Sequence, residues 1–446
     1  MTDSANSRPT PGQRVGYAVG DLGINFFFIS SGTYLLYFYT DVFGISAAIA
    51  ASVLLVARVV DAVTDPLMGM IAERTRSRWG RLRPYLLFGA IPLGVSAVLM
   101  FTTPDLSDAG KIWWAYTTYI LFGILFTVVG IPYSALTSSL TSNHHERTML
   151  STIRMAFAFG GGYAISVGTL PLVGMFETAQ TGFQMVMVGF SVVATVLLWM
   201  SFAATEERVT PPASQQLTIA DSLAAVFRNP PLLVVMILFT GGMLSFTIRQ
   251  TVTVYFLKYN VGREDLVALF FGITMPVMFV GLLAVPKLAA KFGKAGGIMV
   301  GAVVTIIGCI GLYFTPYDSI VGIFFFSCVM ALGGTPIAVL GWAMVPDTVE
   351  YAQWKLGLRA DGAIFSFASF FQKLAKAVGG AGVAAALAAA GYVANVEQTE
   401  ASMNAIHLMM TMAPACVMVL MIVVASFYRL DETAHAEMVA EIEARG

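Results

Sequence analysis

The sequence predicts an all-α membrane protein of twelve transmembrane helices, arranged as two six-helix halves. Three observations lead there. Of 446 residues, 57% are hydrophobic and only 11% charged, against roughly 25% charged in an ordinary soluble domain. The surplus apolar surface has to face lipid. Apolar runs of about 20 or more residues, long enough to cross a bilayer as helix, recur twelve times. The basic residues between those runs fall almost entirely on one side.

The runs are 15–40, 47–72, 84–104, 112–139, 154–174, 183–204, 231–258, 266–290, 296–315, 319–346, 362–391 and 404–428. They are continuous and far longer than the roughly 10-residue alternating segments of a β-barrel. Their Gly and Pro content suits membrane helices, where neighbours re-satisfy the backbone. With both termini in the cytoplasm, the inside segments hold 17 basic residues: Arg8, Arg14, Arg74, Arg76, Arg78, Arg81, Arg83, Arg147, Arg208, Arg228, Lys287, Lys291, Lys294, Lys355, Arg359, Arg429 and Arg445. The outside loops hold 2, Lys111 and Arg263. That imbalance sets the orientation in a bacterial inner membrane. Residues 1–14 lack the pattern of a cleaved signal, so the first run is expected to act as its own insertion signal.

Several classes are excluded. A net charge of −1 gives no general pull toward nucleic acid. Cys309, Cys328 and Cys416 all lie in apolar runs, which argues against a disulfide framework and a zinc site. Neither a Walker loop, a zincin motif nor a G-x-S-x-G elbow is present, so a pump driven by ATP and a hydrolase lack support. No enzyme activity and no cofactor are expected. A monomer is expected.

The longest connection, 205–230, divides the runs six and six. Its first part is rich in Pro, Ser and Gln and reads as linker; its later part, TIADSLAAVFRN, reads as a short amphipathic helix. The organisation is therefore 1–204, a cytoplasmic linker at 205–230, and 231–446. The halves resemble each other weakly: a basic, Gly-containing loop follows the second run (GMIAERTRSRWGRLRP) and again the eighth (PKLAAKFGKAGGIMV). Such halves suggest the major facilitator architecture, with a substrate site near midplane.

Four basic residues sit deep in the runs: Arg58, Arg154, Arg249 and Lys373. A charge at a helix centre costs roughly 2.5–3.5 kcal/mol on insertion scales, so such groups face a cavity and have partners. Arg58, Asp61 and Asp65 are spaced i, i+3 and i+7 on one helix face. Arg58 can neutralise one carboxylate. Two carboxylates this close repel unless a proton or metal ion sits between them. That is what a coupling site for H⁺ or Na⁺ needs; the alternative is a structural Arg–Asp bridge with an Asp capping the Pro66 kink. His144 and His145 have no ligand partner nearby in sequence, so no metal is expected beyond a possible Na⁺ at Asp61 and Asp65.

The stretch VARVVDAVTDPLMGMIAERTRSRWGRLRP (56–84) resembles the second-span signature of the melibiose permease family, the glycoside–pentoside–hexuronide:cation symporters. LYFYTDVFG (36–44), GIPYSALTSSLTSNHHERTMLSTIR (130–154) and VPDTVEYAQWKLGLRADG (345–362) agree with it. The resemblance runs over almost the whole chain. It implies an importer of a small sugar-like solute, driven by Na⁺ or H⁺ through alternating access. It implies that Asp61 and Asp65 bind the cation with help from the Thr127 hydroxyl. It implies that Lys373 lies beside the aspartates and links the halves, and that Arg154 belongs to the sugar site; Arg58, from its place on the aspartate face, is expected to share the coupling with Lys373. A plain salt bridge is the alternative for Lys373.

Departures from the family pattern bear on the substrate. The family's sugar-binding carboxylates fall at Asn25 and Gly130 here, and Arg249 is an added base in SFTIRQT. Losing acids and gaining a base makes the pocket more positive, and Arg pairs bidentately with carboxylate, phosphate or sulfonate. An anionic sugar, a hexuronide or sulfonated sugar, is therefore expected. A neutral pentoside or hexoside is the alternative, and Arg249 can instead be a gate residue. Asp21 is expected nearer the cytoplasmic end, pairing with a basic loop. Tyr133 and Trp342 are candidates to stack on a sugar ring, and Ser369 and Gln372 to bind its hydroxyls. The remaining rivals are a lysolipid transporter and a sugar sensor; the sensor lacks a sizeable soluble output domain.

Overall fold

In the computed structural model the protein is described at residues 9–140, 144–207, 224–357, 361–428, 430, 437–438 and 441; side chains at 58–59, 62, 66, 70, 73–74, 138, 144–148, 151–152, 361–363 and 366 are not. Helices dominate the described residues. They are α1 Pro11–Thr33, α2 Leu35–Tyr37, α3 Ala47–Arg74, α4 Arg83–Met100, α5 Asp108–Leu140, α6 His144–Val173 and α7 Ala179–Ala204. There follow α8 Pro230–Tyr255, α9 Leu266–Tyr313, α10 Ile320–Leu356, α11 Asp361–Ala389, α12 Glu400–Met410 and α13 Met412–Ala425. Eight helical spans among the described residues are long and apolar enough to cross a membrane. The eighth and ninth sequence runs lie on the two sides of Gly293, whose non-helical backbone (φ 68°, ψ 174°) divides α9 into two helices. The first half of the expected amphipathic helix at 218–229 lies outside the described residues; 224–227 are helical.

Local chemistry sets the helix starts. Thr10 accepts from the Gln13 amide while the Gln13 side chain accepts from the Thr10 amide, and Pro11 follows, so α1 begins with a complete capping box. Ser46, Thr178 and Thr399 cap α3, α7 and α12 in the same way with one hydroxyl each. Asn229 caps α8 through the Leu232 amide, and its amide nitrogen donates to the Thr348 carbonyl at 2.7 Å.

The chain forms two compact units, Met1–Ser214 with Val393–Val396, and Gln215–Tyr392 with Glu397–Gly446. In the first, α1 packs on α6 and α7, α4 on α5 and α7, and α3 on α5. Of the GGG at 160–162, a Cβ at Gly161 would lie 2.9 Å from the Leu22 carbonyl, whereas Gly160 has open space beside it. Gly161 is the glycine that admits α1 against α6, as small residues do in membrane bundles. In the second unit, α9 packs along α10, where a Cβ at Gly301 would lie 2.6 Å from the Gly333 carbonyl.

The two units share a device at one helix end. After α1 and α2 the chain widens into a π-turn, Phe38–Val42; after α8 it does so again at Phe256–Asn260. Phe43 N donates to Phe38 O, and Val261 N to Phe256 O. Gly44 (φ 80°) and Gly262 (φ 73°) then take left-handed backbone, which an L side chain adopts only at a cost. Both turns open with Tyr-Phe and reach glycine at the same offset, YFYTDVFG and YFLKYNVG.

Candidate functional site

Within the first unit, α3 and α5 bring two carboxylates against a hydroxyl. Asp61 and Asp65 lie one turn apart on α3; Asp61 is buried and Asp65 half-buried. Thr127 on α5, itself 2% exposed, donates its hydroxyl to Asp65 Oδ1 at 2.7 Å. One turn earlier on α5, a Cβ at Gly123 would come within 3.0 Å of Asp61 Oδ1, so the glycine leaves the room that this carboxylate occupies. The two helices meet in register, 61 against 123 and 65 against 127. Carboxylate and hydroxyl oxygens are donors that a small cation or a proton can use. The Arg58 side chain lies outside the described residues.

A second cluster gathers on α1, α5 and α6. Tyr17, Asp21 and Asn25 are spaced i, i+4 and i+8, so they form one stripe of α1. Arg154 of α6 donates from Nε to Asp21 Oδ2 at 3.2 Å, and from Nη1 to the Tyr17 hydroxyl at 3.2 Å and the Thr137 hydroxyl at 3.4 Å. Its guanidinium lies 5.2 Å from the Tyr133 ring centroid. Tyr133 stacks on Tyr17 at 5.0 Å and donates its hydroxyl to the Tyr17 carbonyl at 2.8 Å. Asn25 donates its amide to the Asp21 carbonyl at 2.8 Å.

This cluster corrects one expectation. Asp21, expected to pair with a basic loop, pairs with Arg154 inside the bundle. Tyr133 is fully buried, its ring stacked on Tyr17. The spacing 17, 21, 25 was a usable signal, because a polar stripe on an apolar helix needs a partner.

In the second unit, Arg249 of α8 is half-buried, and its Nε is buried without a hydrogen-bond partner among the described residues. Among the described residues, Cys309 of α9 and Cys328 of α10 lie near enough to act on it electrostatically. Trp342 lies edge-on to Phe239, centroids 4.7 Å apart, at the margin of the apolar core. On α11, Gln372 and Lys373 are half-buried and Ser369 exposed. A pair the sequence reading did not single out joins α9 to α10: Lys294 Nζ lies 2.6 and 2.8 Å from the two Asp347 oxygens and 3.2 Å from the Ala343 carbonyl.

Known proteins resemble this chain along most of its length. A family model described as MFS/sugar transport protein matches residues 16–432. The chain is 37% identical to the uncharacterized symporter YnaJ of Bacillus subtilis, over 97% of this chain and 95% of that one. It is 37% identical to the isoprimeverose transporter of Lactiplantibacillus pentosus, over 97% and 91%, and 30% identical to a putative sulfoquinovose importer of Escherichia coli, over 97% and 94%. Among solved structures, a bacterial homolog to the human lysosomal transporter Spinster, inward-facing and unoccupied, is similar in fold, with a TM-score of 0.65 at 12% identity over 97% of each chain.

Proposed function

The chain belongs to the MFS/sugar transport family, and from that premise we propose that it imports a neutral glycoside or small sugar, driven by Na⁺ or H⁺ at Asp61 and Asp65. It is a multi-pass membrane transporter and not an enzyme. The bacterial inner membrane with both termini cytoplasmic is the placement that fits the 17 to 2 distribution of basic residues.

The single observation that carries the coupling reading is the contact of Thr127 with Asp65 beside a buried Asp61. Two carboxylates one turn apart repel in a membrane interior, and one cation relieves both. Binding there stabilises one arrangement of the transporter over another, and the substrate adds its own preference; coupling follows from that shared equilibrium. Lys373 and Arg58 are the positive groups proposed to respond to the change. Asp65→Asn should abolish concentrative uptake in proteoliposomes under imposed Na⁺ or H⁺ gradients. Accumulation at the wild-type ratio by this variant would remove the assignment.

The neutral substrate is supported by the Arg154–Asp21 pair. Its formal charge is zero, and an anion placed beside it would meet the Asp21 carboxylate as well as the guanidinium. The isoprimeverose transporter is among the relatives sharing 37% identity. A second reading, an anionic sugar such as a hexuronide or sulfonated sugar, is favoured by the unpartnered Nε of Arg249 and by the name of the putative sulfoquinovose importer. Asn25, Tyr133, Ser369, Gln372 and Trp342 remain proposed sugar contacts under either reading. Competition between a neutral glycoside and its uronide at equal concentration decides between them. The neutral reading expects the uronide to compete poorly and Arg249→Gln to leave affinity unchanged; stronger competition by the uronide, lost in Arg249→Gln, would establish the anionic one.

A further inference from the structure

We propose that the loop between α3 and α4 is a binding site for the phosphate headgroup of an anionic phospholipid, built from Arg76, Arg78 and Arg81 around Trp79. A loop that only fixed membrane orientation would need positive charge and nothing more. This one has more. All five basic residues of 74–83 are arginines and none is lysine. The guanidinium is planar, weakly hydrated and matched to phosphate by paired N–H donors.

The cluster divides into a used part and an open part. Arg83 is used: it donates to the Phe202 carbonyl at 2.8 and 3.3 Å and to the Trp79 carbonyl at 3.4 Å, and lies over the Phe202 ring. Arg76 and Arg78 are exposed and Arg81 half-buried. None of the three has an ion pair or side-chain hydrogen bond among the described residues. Arg78 lies 4.0 Å from the Trp79 ring centroid, which orients it and leaves its N–H edge open.

The backbone beneath them is held. Glu207, at the end of α7, accepts from the amides of Arg81, Leu82 and Arg83 at 3.1, 2.7 and 3.1 Å. Gly80 (φ 103°) makes room for that carboxylate; a Cβ there would lie 2.5 Å from Glu207 Oε1. The Ser77 hydroxyl donates to the Gly80 carbonyl at 2.7 Å and accepts from Trp79 N at 3.2 Å. Among the described residues, Glu207 meets three amide donors at the loop, and Glu206 acts electrostatically on Arg83. A loop ordered before binding loses little freedom on taking a ligand.

Position selects lipid as the source of the phosphate. Trp79 contacts Phe88 edge-on at 5.2 Å. Phe88, Ile91 and Val95 are 59%, 51% and 53% exposed and lie on one face of α4. In a membrane helix that face meets acyl chains. Phe88 is about 8 Å along the helix axis from Arg83, so the open guanidiniums stand where the apolar stripe ends, at headgroup depth. Tryptophan favours the same boundary.

The test uses the full-length protein in detergent, titrated with phosphatidylglycerol, phosphatidylcholine or inorganic phosphate. Native mass spectrometry reads retained lipid and thermal unfolding reads stabilisation. Wild type should retain phosphatidylglycerol over phosphatidylcholine and gain a higher unfolding temperature from it. Each basic group near an anionic surface strengthens attachment about fivefold, so R76Q/R78Q/R81Q should weaken retention on the order of a hundredfold. R76K/R78K/R81K keeps the charges that orient the chain and should fall between, because lysine lacks the paired donors. Equal retention of the two lipids by wild type would overturn the proposal, as would undiminished preference in the lysine triple together with the glutamine triple. A thermal shift reproduced in full by inorganic phosphate would also overturn it, making this a free-anion site.

Discussion

At the scale of single residues, the pair Arg154–Asp21 holds the most information, because each explains the other. Arg154 is 25% exposed and Asp21 10% at the side chain. Removing one partner leaves the other desolvated and uncompensated, which typically costs about 3–5 kcal/mol. Asp21→Asn should therefore lower thermal stability sharply, and the double variant Asp21→Asn with Arg154→Gln should recover part of the loss. Unfolding curves of the two variants in one detergent check this; a double variant less stable than the single would show that the charges do not compensate each other. The two carboxylates of α3 were legible in the sequence because a helix fixes the face of residues four apart. The Asp21 partner was not. Its contact joins residues 133 positions apart, and nothing local to α1 chooses between a loop and α6.

At the scale of elements, most span boundaries were legible from apolar run length, since a bilayer demands about 20 residues whatever their identity. What escaped was finer. The runs 266–290 and 296–315 were legible as separate, and Gly293 breaks the helix between them; what run length could not give was that a single glycine makes the break. Close packing was half legible: GGG at 160–162 announced it, but only placement shows that Gly161 meets α1 while Gly160 meets nothing. This difference is testable on the other unit's contact. Gly301→Ala forces a methyl toward the Gly333 carbonyl and should cost about 1–3 kcal/mol, as overpacking does. Gly160→Ala adds helix propensity without a clash and should be neutral or stabilising by about 0.5–1 kcal/mol. Paired thermal unfolding measurements read both, and equal effects would refute the packing argument.

At the scale of the whole molecule, function rests on making two binding events depend on one conformational equilibrium, and a charge on α11 is the proposed link. Lys373→Ala should abolish concentrative uptake while insertion and thermal unfolding stay close to wild type. Proteoliposome uptake under an imposed gradient, set beside an unfolding curve, checks it; wild-type accumulation would show that Lys373 is not the link. Family membership was legible from motifs spread along the chain, whereas substrate charge was not, because it depends on which arginines other side chains have already neutralised. The twin π-turns have a historical consequence. Ending a helix by widening it into a five-residue turn and closing on a left-handed glycine is an uncommon solution. Finding it after α2 in one unit and after α8 in the other, at the same Tyr-Phe offset, is the trace that duplication of one ancestral half would leave. The ancestor, on this view, worked as two copies of a single half.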